Sequence, residues 1–295
     1  MTYKSGFVAV VGRPNVGKST LLNTLLGEKV LIVSDKPQTT RNKIRCIYSV
    51  PGMQAVFLDT PGIHKPHHKL GDRLVESAVA SLQEVDLIWF VVEPDLHPGG
   101  GDRFIIEHFS ERTPVVLVVN KADTMRDEDR NAVAAAYASL FPFQKTVFAS
   151  ALRGDGIEEL LQLLAQTLPE GPQYYPEDMV IDQPERFVVA EIVREKIMQL
   201  TREEIPHSCA VLVERMKEEE TIVHIDATIY VEKDSQKGIV IGKSGHMLRE
   251  VGTQARRDIE ALLGSQANLQ LWVKVRKDWR NKEQDLRMLG YEKKS

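Results

Sequence analysis

Short apolar runs alternate with longer amphipathic stretches through the first half of the chain. Six runs have the length and composition of strands: residues 7–11, 44–50, 54–58, 87–92, 114–119 and 146–149. Between them lie helical patterns such as 157–168, whose apolar positions recur every three or four residues. Strands alternating with helices in this way mark an α/β layer, a mostly parallel sheet with helices on both faces. That domain is expected over residues 1–170.

The pattern then breaks. Pro169, Pro172 and Pro176 fall within ten residues, and no helical or strand period survives them. We read 171–183 as a linker and 184–295 as a second domain. Its elements are expected at 185–202 (helix), 209–215 and 221–231 (strands), 247–263 (helix) and 269–276 (strand), with a glycine-rich turn before the last helix. With the glycine turn set between two helices, the order α-β-β-α-α-β describes a small α+β module.

Composition changes this picture little. The chain has 295 residues, 42% hydrophobic and 27% charged, as expected of two globular domains. No apolar run approaches the roughly 18 residues that would cross a bilayer, and the first residues lack the apolar segment of a signal peptide, so a cytoplasmic location is expected. Cys46 and Cys209 are too isolated for a disulfide framework or a cysteine metal site, and both are expected to be reduced and buried. Charge is more informative locally than globally. The net charge is −4, but 238–282 carries nine basic and four acidic side chains, which leaves room for a nucleic-acid footprint.

Candidate chemistry begins after the first strand. Gly12-Arg13-Pro14-Asn15-Val16-Gly17-Lys18-Ser19 is followed by Thr20 and a helical stretch, which fits G-x-x-x-x-G-K-[ST] in its strand, loop and helix setting. The glycines let backbone N–H groups turn toward phosphates, and the helix start adds partial positive charge. Lys18 supplies a point charge for the β and γ phosphates, and the Ser19 hydroxyl a ligand for Mg²⁺. The strand 54–58 delivers Asp59, a carboxylate for the same ion, and then Thr60, Pro61 and Gly62, whose N–H can meet a γ-phosphate oxygen. Asn120, Lys121 and Asp123 follow the strand 114–119. A carboxylate at 123 accepts the N1–H and 2-amino hydrogens of guanine, while adenine presents no such donors there. Asn120 and the Lys121 stem would brace the base. Ser150, Ala151 and Leu152 end the last strand, where the Ala151 N–H would reach guanine O6.

These identities and spacings resemble the translation-factor-related small GTPases and, within them, the Era family. The resemblance implies a slow GTPase, turning GTP into GDP and phosphate, in which Thr40 of Pro37-Gln38-Thr39-Thr40-Arg41 is a further Mg²⁺ ligand in the GTP state. It places Lys18, Thr40, Gly62 and Asn15 at the catalytic centre. Ile63 stands where many GTPases carry a water-orienting glutamine, and its side chain has no hydrogen-bonding group. For Asn15 two readings stand: a K⁺ ligand, as in relatives with a hydrophobic residue after the sensor glycine, or hydrogen bonding within the loop. His64, His67 and His68 lack a zinc spacing and read as an exposed switch segment.

In the second domain Ile241-Gly242-Lys243-Ser244-Gly245 resembles the G-x-x-G loop of KH domains, which clamps a single-stranded backbone. The element order matches the second KH topology, which Era proteins carry at their C-terminus. RNA contact is expected of Ile241, Gly242, Lys243, Ser244, Gly245, Arg249, Lys274, Arg276, Lys277 and Trp279. Trp272 is expected in the core, and Trp279 against a base. The resemblance further implies a monomer that binds the 3′ end of 16S ribosomal RNA and assists maturation of the 30S subunit, cytoplasmic with a peripheral inner-membrane fraction. Another RNA, or coupling to the cell cycle or a membrane, is the alternative. A metabolic kinase and an RNA-binding protein with structural nucleotide are the rivals from other classes.

Overall fold

The computed structural model describes residues 2–36, 39–63 and 68–291. The chain divides into two compact units, one of residues 1–33, 40–67 and 71–182, the other of 34–39, 68–70 and 183–295.

The first unit is built on six strands: β1 (Lys4–Val11), β2 (Ile44–Val50), β3 (Met53–Asp59), β4 (Leu87–Val92), β5 (Val115–Val119) and β6 (Lys145–Phe148). Their order is β2-β3-β1-β4-β5-β6, with only β2 antiparallel to its neighbour. Among the described residues, α1 (Lys18–Leu26), α2 (Lys69–Ala80), α3 (Gly100–Ile106) and α4 (Arg130–Ala138) connect strands, and α5 (Ile157–Thr167) follows β6. A parallel strand covered on both faces must be apolar throughout, and all six residues of β4 are buried. Ala9, Val11, Phe90, Val92, Leu117 and Val119 form a core with Leu82, Ile105 and Tyr137. The nucleotide motifs lie where β1, β3 and β5 end, as parallel α/β sheets place their ligands.

The segment expected to be a linker is tied to this sheet. The Ser5 hydroxyl donates to Pro172 O at 2.6 Å, and Ile47 N–H to Val180 O at 2.8 Å. Cys46 and Ile181 form an antiparallel bridge on the outer edge of β2. The buried Gln54 accepts from the Tyr174 and Tyr175 N–H groups at 2.8 and 2.9 Å and donates to Tyr175 O at 2.9 Å. An unpaired edge strand is thereby covered.

The second unit contains α6 (Glu185–Leu200), α7 (Ile205–Ser208), β7 (Ala210–Glu218), β8 (Ile222–Val231), α8 (Asp234–Ile241), α9 (His246–Leu263), β9 (Gln266–Val275) and α10 (Glu283–Met288). The sheet order is β7-β8-β9, antiparallel then parallel. One sheet face supplies Val211, Ile225, Ala227, Ile229 and Val273 to a core shared with Val251, Ala255 and Ile259 of α9. The turn α7 and the helix α10 have no counterpart in the expected order. Among the described residues no helix is long and apolar enough to cross a membrane.

Candidate functional site

β1 ends on a loop whose glycines have no room for a side chain: a Cβ on Gly12 would lie 2.1 Å from Val91 O. Gly17 caps α1 with φ 95°, and a Cβ there would lie 2.3 Å from Asn120 Nδ2. Asn15 also sits in the left-handed region, at φ 66°. Such a run turns backbone N–H groups inward. Lys18 is buried, its Nζ donating to Gly12 O at 3.1 Å and Arg13 O at 3.0 Å. Desolvation pulls the Lys18 ammonium down to about 8, against the opposing pull of the Asp59 charge. An anion set against this group would restore its charged form.

Ser19, Thr40 and Asp59 come from α1, the segment before β2 and the end of β3, and they converge. Asp59 Oδ2 accepts from the Ser19 hydroxyl at 2.9 Å and the Thr40 hydroxyl at 3.0 Å, and the two hydroxyls are 3.1 Å apart. Asp59 is fully buried, and its Oδ1 has no hydrogen-bond partner. Burial pushes its carboxyl up, while Lys18 and the two hydroxyls oppose that. Two hydroxyls and a carboxylate with an unused buried oxygen form an all-oxygen donor set, which suits Mg²⁺.

Gly62 closes against the phosphate loop. A Cβ there would lie 2.7 Å from Pro14 N, and the Ile63 N–H donates to Gly12 O at 3.3 Å. The Ile63 side chain belongs to the hydrophobic core with Ala9, Ile88 and Ile105. It therefore orients no water. Pro37 and Gln38 of the threonine segment and His64 and His67 lie outside the described residues; among those described, no His, Cys, Asp and Glu side chains group as a metal site.

Asn120 joins three loops. Its Nδ2 donates to Val16 O at 2.8 Å, and its Oδ1 accepts the Ala151 N–H at 3.0 Å. The Ala151 N–H, expected to reach guanine O6, thus already has a partner within the chain. A buried N–H must find an acceptor, and Asn120 supplies it, so O6 would share that donor. Asp123 stands in a 3₁₀ turn, Ala122–Thr124, where a hydrogen bond from Ser150 holds its carboxyl below the usual carboxylate range. Arg153 Nε is 3.9 Å from Asp123 Oδ2. Lys121 (φ 59°) donates to Asn15 O at 2.9 Å and pairs with Glu93, a residue no motif singles out. Of the remaining expected residues, Thr60 anchors its loop by donating to Val10 O at 2.9 Å, and Leu152 is exposed.

The second unit presents its own glycine loop. Gly242 has φ 72°, and a Cβ there would meet the Met247 backbone N at 2.9 Å. Ser244 (φ 52°) and Gly245 (φ 76°) complete the turn between α8 and α9. Lys243, Ser244, Arg249 and Lys277 are exposed. Other expected RNA contacts are already engaged. Lys274 lies 3.4 Å from Glu214, and Arg276 pairs with the buried Asp285 at 2.6 Å. Both tryptophan expectations are corrected. Trp279 is fully buried, donates Nε1–H to Ser208 O at 3.0 Å and stacks on Tyr291, so it offers no face to a base. Trp272 is 42% exposed, because β9 alternates and turns it away from α9.

With this geometry established, comparison with known proteins places the chain. A family model described as a 50S ribosome-binding GTPase matches residues 7–121, and one for the KH domain matches 204–280. The curated "GTPase Era" proteins of Alkaliphilus oremlandii (strain OhILAs) and Alkaliphilus metalliredigens (strain QYMF) are each 54% identical over 295 residues, covering 99% of this chain and all of theirs. Two solved structures align with TM-score 0.94 and 41% identity over 98% of this chain and 99% of theirs. They are Era in complex with MgGDPNP and nucleotides 1506–1542 of 16S ribosomal RNA, and a point variant of Aquifex aeolicus Era bound to GDP·AlF4⁻. Full-length identity of this order, carried by both the phosphate-loop and the KH units, means that the chain belongs to the Era family of GTPases.

Proposed function

We propose that this chain is a monomeric cytoplasmic switch that hydrolyses GTP while its KH unit holds the 3′ end of 16S ribosomal RNA, assisting maturation of the 30S subunit. The observation that carries the reading is the convergence of Ser19, Thr40 and Asp59 beside the buried Lys18, with Asp59 Oδ1 left unpaired. Residues 1–170 carry nucleotide, 171–183 connect, and 184–295 carry RNA. The relative solved with MgGDPNP and 16S nucleotides supports both assignments.

Ser19, Thr40 and Asp59 would hold the Mg²⁺, which neutralises charge on the β and γ phosphates. Lys18 contributes a second positive charge from a site it already occupies. The Gly62 N–H reports the γ phosphate, since only a residue without Cβ fits against Pro14. Asp123, held ionised by Ser150, selects guanine. Since Ile63 is in the core, no side chain there positions water, and unaided turnover is slow. Asn15 is the K⁺ ligand in this reading.

Multiple-turnover phosphate release with an RNA covering the 16S 3′ end tests the whole. GTP but not ATP is consumed, faster in K⁺ than in Na⁺. Lys243→Asp with Ser244→Asp lowers RNA affinity at least tenfold and leaves GTP binding intact. Equal use of ATP would overturn the nucleotide reading, and unchanged RNA affinity would overturn the assignment of the loop.

A further inference from the structure

Asp102 belongs to none of the recognised motifs, yet its carboxylate is fully buried. A buried carboxylate is costly unless its oxygens are paired. Oδ1 accepts from Arg13 Nε at 2.9 Å, and Oδ2 accepts from the Gly99 N–H and the Tyr137 hydroxyl, each at 3.3 Å. Burial pushes the Asp102 carboxyl up, with the Arg13 charge the largest opposing influence. The stem of Arg13 lies along the start of α3, where a Cβ on Gly101 would come within 2.9 Å of Arg13 Cδ.

Arg13 is the second residue of the phosphate loop, and its side chain is turned to Asp102. Its carbonyl receives the Lys18 ammonium at 3.0 Å. The next residue, Pro14, is the backbone against which Gly62 closes. The two groups that must meet the γ phosphate are therefore both referred to the Arg13–Pro14 peptide, and the only charged side chain in that stretch of loop is anchored on Asp102.

We propose that Asp102 is a positioning residue for GTP hydrolysis: through Arg13 it holds the Arg13–Pro14 peptide that seats Lys18 and Gly62. Gly99 and Tyr137 serve as the backing that keeps the carboxylate in place. The proposal rests on the reading of the phosphate loop given above, and the two fail separately. A wild-type chain that binds no guanine nucleotide sinks the loop reading, whereas normal binding with independent variants sinks only the role of Asp102.

The test is a double-mutant cycle on the full chain with Arg13→Ala, Asp102→Ala and the pair, reading kcat, KM for GTP and Tm. Small misplacements of reacting groups cost up to about 10²-fold in rate, so each single variant is expected to lower kcat roughly tenfold. The double variant is then no slower than the slower single. Preference for guanosine over xanthosine triphosphate stays as in wild type, because Asp123 is untouched. Asp102→Asn keeps the shape and loses the charge; should Asp102→Ala fail to fold, the Asp102→Asn deficit in kcat must vanish in the Arg13→Ala background. Multiplicative losses, wild-type kcat in Asp102→Ala, or a fall in Tm with kcat intact would each overturn the proposal.

Discussion

The chain contains two glycine loops that each open a helix, Gly12–Gly17 before α1 and Gly242–Gly245 before α9, and their surroundings are opposite. Around the first, polar partners are already engaged: buried Lys18 on two carbonyls, buried Asn120 on Val16, and the part-exposed Lys121 on Asn15. Around the second, Lys243 and Ser244 project into solvent, and no hydrogen bond to their side chains is seen among the described residues. A phosphate entering the first loop meets fixed dipoles and a desolvated charge, which favours tight, geometrically exacting binding. A backbone meeting the second meets hydrated charges, so its affinity is salt-dependent and additive over many weak contacts. On the proposed function, similar turn chemistry serves discrimination in one unit and tracking in the other.

The contrast is broken most forcefully at the base pocket. Asp123→Asn removes the ionised acceptor that Ser150 stabilises, and guanine nucleotides are expected to bind on the order of 10³-fold more weakly while xanthine nucleotides gain. Competition of GTP and XTP for a fluorescent nucleotide measures this. Wild-type preference in the variant would place the base elsewhere. In the second unit the largest expected effect is on stability, not contact. Trp279→Ala empties a fully buried site and strands the Ser208 carbonyl, costing about 3–5 kcal/mol. Trp272→Ala should change stability by less than about 1 kcal/mol. Urea unfolding followed by circular dichroism distinguishes them, and equal losses would mean that both rings pack.

How far these differences could be read in advance depends on where each determinant is written. The phosphate loop, Asp59–Gly62 and Asn120–Asp123 are contiguous and abut apolar runs, so strand ends and chemistry are legible together. The apolar run of β4 is equally plain, because both of its faces are covered. β9 begins at Gln266, earlier than its apolar pattern suggests, because Gln266, Asn268 and Gln270 occupy its exposed face while pairing with β8 continues from Ile222. The two tryptophans exchange their expected roles for a related reason: alternation along β9 sets the direction of Trp272, while Trp279 is captured by Ser208 and Tyr291, neither adjacent in sequence. Asp102 and Glu93 carry no local signature at all. Their meaning lies in Arg13 and Lys121, 89 and 28 residues away.

The smallest expected effect is also the most diagnostic of the buried loop. Lys18 titrates near 8 in this structure, against an ordinary 10.5, because burial disfavours its charge. Phosphate oxygens beside it favour the ammonium, so the bound pKa lies above the free one. Binding must then take up protons at pH values between the two, and affinity must fall as pH rises through about 8, by at most about tenfold per unit. Near that pH a fraction of a proton is taken up per nucleotide, measurable by calorimetry in buffers of different ionisation enthalpy. The guanine ring is still protonated at that pH and contributes no uptake. At the second loop Lys243 is exposed rather than buried, so RNA binding over the same window is expected to be independent of pH. Proton uptake by RNA binding but not by GTP would reverse the contrast between the two loops.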